Sequence, residues 1–184
     1  MKIDIRGIIA EHASVISKLE GLTGKIDQCI EKILLTYKHK GKILVCGNGG
    51  SAADAQHFAA ELTGRYLGDR RAYAAISLTT DTSALTSISN DYGYDQVFRR
   101  QLEAVGNTGD MLFAISTSGN SGNIVQAVEY ARDHGVYTVG LLGKDGGKLN
   151  ALVDLPLVVP SNHTARIQEA HILILHILCE ALEA

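Results

Sequence analysis

With 184 residues, 46% of them hydrophobic and 20% charged, the chain has the length and balance of an ordinary globular domain with one sizeable core. A formal charge of -3 with no cluster of basic residues argues against a nucleic-acid-binding face. No uninterrupted apolar run reaches the roughly 18 residues of a membrane span, so neither nucleic acid nor membrane is an expected partner.

The opening MKIDIRGIIAEHA carries acidic residues and lacks the apolar core of a secretory signal. Apolar positions then keep a helical period to about position 38, and GLTG at 21–24 is expected to break or kink this stretch. Cys29, Cys46 and Cys179 are widely spaced and form no CxxC pair, which suits a reducing cytosol better than a disulfide framework. The expected location is the cytoplasm.

Five short runs read as buried strands: KILVCG (42–47), AAISL (74–78), DMLFAIS (110–116), YTVGLLG (137–143) and LPLVV (155–159). Helical patterns fall between them at about 51–66, 82–104, 121–135 and 146–152, and a last helix spans about 165–183. Strands apolar throughout that alternate with helices predict a doubly wound α/β fold with a five-stranded parallel sheet covered on both faces. The reading is one domain over 1–184, with residues 1–40 an N-terminal helical extension used in oligomer packing. Pro156 cannot donate to a ladder, so the last strand belongs at the sheet edge. From Ala170 to Cys179 the last helix has only His171 and His176 as polar side chains, so it must be buried, in part against another subunit.

In such a fold ligands bind beyond the carboxyl ends of the strands, where strand order reverses. Three turns qualify. GNGGS at 47–51 allows close backbone approach and offers Ser51 as a helix cap, but it is neither GxGxxG nor a GK[ST] loop. STSGNSGN at 116–123 sets the hydroxyls of Ser116, Thr117, Ser118 and Ser121 beside the positive end of a helix, a phosphate seat without lysine. Its plainer reading is a polar loop with a cap, against which its place after a buried strand counts. SNDYG at 89–93 presents Asn90 and Asp91 and is by itself an ordinary turn sequence.

On the helix after GNGGS, His57 and Glu61 lie one turn apart on one stripe, as two ligands of one metal would. An isolated HxxxE is more often a surface pair; nearness to the glycine turn weakens that alternative. The last helix adds Gln168, Glu169, His171 and His176, with His171 read as a satisfied core residue. Gln168 and His176 are eight residues apart, about 12 Å along an axis. Either their side chains converge steeply on one ion with His57 and Glu61, or a neighbouring subunit supplies part of the set.

CGNGGSAADAQHFAAELTGRY, SNDYGY, ISTSGNSGNIVQA, LLGKDGG and ARIQEAHILILHILCE, in this order along nearly the whole chain, closely resemble the phosphoheptose isomerases of the sugar isomerase (SIS) domain superfamily. The resemblance implies a single SIS domain of flavodoxin-like build and a cytoplasmic homotetramer with active sites between subunits. It implies isomerisation of sedoheptulose 7-phosphate to D-glycero-D-manno-heptose 7-phosphate, the first step toward activated heptose for bacterial surface polysaccharide such as lipopolysaccharide. It implies one zinc per subunit, on His57, Glu61, Gln168 and His176. The implied substrate contacts are Asn48, Gly49, Gly50, Glu61, Asn90, Asp91, Ser116, Thr117, Ser118, Ser121 and Gln168. Some members carry an aspartate where this chain has Ala165, and any role of that aspartate does not transfer.

Moving a carbonyl from C2 to C1 needs a proton taken at C1 and one delivered at C2, through a cis-enediol. Glu61 and His176 are the expected acid/base pair, with zinc as Lewis acid. A zinc-bound histidine has no lone pair free for base chemistry, so His176 is ligand or proton carrier at any one moment. Three alternatives stand beside this reading: a noncatalytic SIS scaffold that binds the replication initiator, an isomerase of another sugar phosphate, and a sugar-phosphate sensor. Members of the scaffold group lack the acidic and histidine pair that Glu61 and His176 supply here.

Overall fold

The computed structural model describes residues 3–184. Helix α1 (Ile5–Ser17) is capped by the Asp4 side chain, which accepts from the Gly7 amide. A 3-10 turn (Lys18–Leu22) joins it to α2 (Thr23–Lys38), so the expected break exists but falls at 18–22 and leaves Gly24 inside α2. The α/β portion follows as β1 (Ile43–Gly47), α3 (Gly50–Thr63), β2 (Ala75–Ser77), α4 (Thr82–Tyr92), α5 (Val97–Val105) and β3 (Met111–Ser116). It closes with α6 (Gly122–Asp133), β4 (Tyr137–Gly143), α7 (Leu149–Leu152), β5 (Leu155–Val159) and α8 (Thr164–Ala181).

All five strands are parallel, in the order β2-β1-β3-β4-β5, the flavodoxin-like doubly wound order. Every residue of β1 and β3 is buried, and the pleat shares them between two cores. Ile43, Val45, Met111, Phe113 and Ile115 face α2, α3 and α8 through Ile33, Phe58, Leu62, Ile174 and Leu178. Leu44, Cys46, Leu112 and Ala114 face α5 and α6 through Phe98, Leu102, Ile124 and Val128. This two-faced burial is why the strands read as unbroken apolar runs. Pro156 sits opposite Gly140 in β5, an edge strand as its missing donor requires. The three cysteines are free and buried.

Two helices differ from their sequence reading for one reason, glycine. The 82–104 pattern is interrupted at Gly93 (φ 86°), whose amide caps α4 by donating to the Ser89 carbonyl; a short 3-10 turn (Tyr94–Gln96) then leads into α5. The 146–152 pattern shrinks to Leu149–Leu152 because Gly146 and Gly147 take φ of 83° and 54°, which a helix cannot accommodate. The final helix is as expected, apart from its ends. On α1 and α2, Ile5, Ile8, Ile9, Leu34 and Leu35 remain exposed, an apolar surface this chain does not cover.

His171 is fully buried in α8, with Nε2 3.0 Å from the Leu142 carbonyl, so the satisfied-core reading holds on that side. Its Nδ1 is buried without a partner. Burial pushes the imidazole down to about 4, partly offset by the Leu142 hydrogen bond. The folded ring therefore stays neutral while the unfolded chain takes up a proton, so its contribution is complete above pH 6.5 and lost as pH falls toward 4. The corresponding loss is at most about 3 kcal/mol. His171→Gln keeps a donor for Leu142 without a titrating ring, and its urea-unfolding free energy is expected to change less than the wild type's between pH 7 and pH 4.5. Equal pH slopes for the two proteins would rule His171 out as the source.

Candidate active site

Strand order reverses between β1 and β3, and the two loops leaving their carboxyl ends open opposite ways. Beyond them lies a cavity of about 220 Å³ lined by Asn48, Ser51, Ile115, Ser116, Thr117, Ser121, Thr164 and Gln168. A wider hollow of about 520 Å³ near Tyr130 and His134 sits at the opposite, amino-terminal end of the strands, away from the reversal.

The smaller cavity gathers the first turns of three helices: Ser51 in α3, Ser121 at the cap of α6 and Thr164 in α8. None of these three helices has a side-chain cap, whereas α1 and α4 are capped by Asp4 and Asp81. First-turn N–H groups and three positive dipole ends thus meet over one space, with no carboxylate among its lining residues. That is a seat for an anion. Ser116 ends β3 with Oγ 3.2 Å from Ser121 Oγ and accepts from the Gly119 amide at 3.1 Å. Gly49 takes φ 57°, and a Cβ on Gly50 would strike the Gln168 amide, so the glycine turn is what lets α3 begin against α8.

Farther along the same two helices the ionisable residues meet. His57 Nε2 lies 3.0 Å from His176 Nε2 and 3.3 Å from Glu61 Oε1. Gly50 opposes Gln168 and His57 opposes His176, seven and eight residues on, so α3 and α8 run alongside each other in one direction. The anion seat and the histidine pair are thus separated along the two helices by roughly two helical turns. One chain therefore brings together His57, Glu61 and His176, while Gln168 stands at the seat end. Among the described residues no three His, Cys, Asp or Glu side chains are disposed to hold a metal as they stand. The donors are nonetheless of the right kind: two imidazole nitrogens that face each other must share one proton or one cation, beside a carboxylate.

The remaining candidates divide. Asn48, Ser116, Thr117, Ser121 and Gln168 line the cavity, and Gly49 and Gly50 form its glycine turn. Ser118 uses its hydroxyl to accept from the Asn120 amide. Asn90 and Asp91 lie exposed in the last turn of α4, bonded to each other at 2.8 Å, and do not line the cavity.

Several polar residues escaped the sequence reading. Asn123 is 2% exposed and forms a reciprocal amide pair with Asn48, each Nδ2 donating to the other's Oδ1 at 2.9 Å. Tyr94 donates to the same Asn48 oxygen at 3.0 Å. Asn48 Oδ1 is thereby saturated, and the second hydrogen on its Nδ2 is left to donate. Asn123 ends the SGNSGN run at 118–123, where its position in the first turn of α6 is the only local signal of a polar role. Asp54, one turn before His57, has a buried Oδ2 without a partner; burial raises its carboxyl to about 6, and nearby His57 pulls the other way.

The SIS domain family matches residues 9–143. The chain is 55% identical over 175 residues to phosphoheptose isomerase of Helicobacter pylori (strain P12), covering 95% of this chain and 91% of that one. This chain belongs to the phosphoheptose isomerase family of SIS-domain proteins. The family's member from Aliarcobacter butzleri (strain RM4018) is 54% identical over 179 residues, covering 97% and 95% of the two chains. The structure of phosphoheptose isomerase GmhA from Neisseria gonorrhoeae superposes with a TM-score of 0.92 at 48% identity, over 97% of this chain and 96% of that one.

Asn123→Asp keeps the side-chain shape but sets an oxygen against Asn48 Oδ1 and turns Asn48 away. Disturbing one buried hydrogen bond costs about 1–3 kcal/mol, so sugar-phosphate binding is expected to weaken by roughly tenfold or more in calorimetric titration. An unchanged Kd would show that the amide pair only braces the fold.

Proposed function

We propose that the chain is an aldose–ketose isomerase that converts sedoheptulose 7-phosphate to D-glycero-D-manno-heptose 7-phosphate, the first step of activated heptose synthesis for bacterial surface polysaccharide. The observation that carries this reading is an anion seat at the start of α3 and α8 with the His57–Glu61–His176 cluster farther along the same two helices. Relatives of more than half identity named phosphoheptose isomerase support it. A phosphoryl tail in the three-helix seat fixes the far end of an extended sugar, so its binding energy orients C1 and C2 at the cluster.

The reaction moves one proton from C1 to C2 and one from O1 to O2 through a cis-enediol. His176 Nε2 is committed to His57, whereas Glu61 touches His57 through Oε1 only and keeps Oε2 for substrate. Glu61 accordingly takes the C1 proton and returns it at C2, and His176 is the second acid/base group near the two oxygens. His57, Glu61 and His176 are the residues of one chain that would hold zinc; Gln168, at the seat end of the same chain, would join them as a ligand supplied by a neighbouring subunit. Bound zinc would supply Lewis-acid stabilisation of negative charge on the enediol oxygens. Phe58, Leu62 and the α8 core beneath the cluster keep one side dry.

The exposed isoleucines of α1 and leucines of α2 support a homo-oligomer, read here as a tetramer, with sites completed between subunits. Asn90 and Asp91, outside the cavity of one chain, would meet substrate in such an assembly. No described helix is long and apolar enough to cross a membrane, and the proposed setting is the cytoplasm. The scaffold and sensor readings leave the Glu61 and His176 pairing without a use.

Purified protein incubated with sedoheptulose 7-phosphate is expected to yield the aldose, with the rate falling on chelation and recovering with zinc. Glu61→Gln should fold normally and lower kcat by about a hundredfold or more, the scale of a lost acid–base group. Wild-type inactivity on this ketose with turnover of a shorter sugar phosphate would replace the substrate, and near-normal turnover by Glu61→Gln would remove Glu61 from the proton path.

A further inference from the structure

The chemical end of the site depends on the spacing between α3, which carries His57 and Glu61, and α8, which carries His176. Past α3 the chain runs through Gly64–Arg70 in irregular backbone, and past α8 comes Glu183. The Glu183 side chain is 10% exposed and its two oxygens accept four hydrogen bonds from that segment. Oε1 takes the Tyr66 amide at 2.8 Å and Arg70 Nε at 2.9 Å, and Oε2 takes the Leu67 and Gly68 amides at 2.8 Å each. The amides of Gly68 and Tyr66 lead in holding this carboxyl down at about 2, so it stays ionised.

The segment so tied reaches both reacting residues. Arg70, its side chain 12% exposed, donates to the Glu61 carbonyl at 2.7 Å and the Leu62 carbonyl at 3.0 Å, closing the free carbonyls at the end of α3. The Tyr66 ring lies against the His176 ring, centroids 5.5 Å apart at 32°. One carboxylate just past the end of α8 therefore fixes an arginine under Glu61 and an aromatic plate on His176.

We propose that Glu183 is a positioning residue for the isomerisation: through Arg70 and Tyr66 it sets the distance and orientation of Glu61 and His176 between α3 and α8. Its role rests on the assignment of those two residues to proton transfer. The anion seat is at the other end of the two helices, so loss of Glu183 disturbs the chemical end and spares phosphoryl binding. A cap that merely stabilised the fold would lower the unfolding midpoint and leave both kcat and the His176 environment unchanged.

The test uses the full-length enzyme loaded with zinc. Glu183→Gln turns an amide nitrogen toward backbone donors and frees the 64–70 segment, and is expected to lower kcat at least tenfold with KM within about twofold. The carbon-bound ring protons of His176 in NMR spectra are expected to shift as they do in Tyr66→Leu, since both changes remove the tyrosine ring from that face. Should Glu183→Gln not fold, Tyr66→Leu keeps the carboxylate tether and carries the same expectation for kcat and KM. Unchanged kcat with unmoved His176 resonances would overturn the proposal, as would a rise in KM alone. A wild type inactive on sedoheptulose 7-phosphate would count against the proposed reaction, while the resonance shift would still decide whether Glu183 orients His176.

Discussion

The contact on which the site depends is the approach of α3 to α8 at the glycine turn. A Cβ on Gly50 would meet the end of the Gln168 side chain, which lies in the space beside the turn. With that clearance the two helices lie side by side over one sheet face, sharing the core of Phe58, Leu62, Ile174 and Leu178. Burying such large side chains is worth about 1.5–3 kcal/mol apiece. The apolar core thus supplies the stability that holds two imidazoles at 3.0 Å, a contact with little to hold it of its own. A methyl at position 50 would turn the end of the Gln168 side chain out of its place at the seat, a local shift of a flexible side chain.

The seat follows from a different constraint, strand order. Because the connections leave β1 and β3 on opposite sides, the first turns of α3 and α6 open toward the same gap, and α8 adds a third. No lysine or arginine lines the cavity, so an anion there is held by backbone amides, hydroxyls and helix dipoles. Such donors cannot swing away as a lysine can, and they fix an oxygen cluster in position as well as neutralising it. The Asn48–Asn123 pair extends this rigidity by tying the first glycine turn to the first turn of α6.

The fold was legible because each strand announced itself twice, as an apolar run and by the turn residues around it. β2 was the weakest case: only three residues pair, and Ile76 is exposed at the edge. The helix limits that failed were those where glycine overrides a periodic pattern, at Gly93 and at Gly146–Gly147. In the site, the hydroxyl loop and the HxxxE stripe were visible because their spacing is local. The rest arises from contacts across the sequence. Nothing in the spacing shows that Asn123 would meet Asn48 75 residues away, or that Glu183 would gather amides 115 to 117 residues back. Eight residues of helix separate Gln168 from His176, and in one chain Gln168 stands at the anion seat while His176 meets His57 about two turns farther on.

That separation suits the chemistry. An isomerase that held its substrate equally at both ends would gain affinity without rate, since only interactions that grow toward the transition state raise kcat. In the proposed reaction the end that would bind charge unchanged by the chemistry is built from fixed backbone and hydroxyl donors. The end proposed for proton transfer is built from titratable side chains on the flank of two helices, with His57 45% and Glu61 24% exposed. A proton carrier must reach two adjacent carbons from one position. Ordering of the chemical end therefore has to come from beneath and behind it, from the sheet-facing core on one side and the carboxylate-bound 64–70 segment on the other.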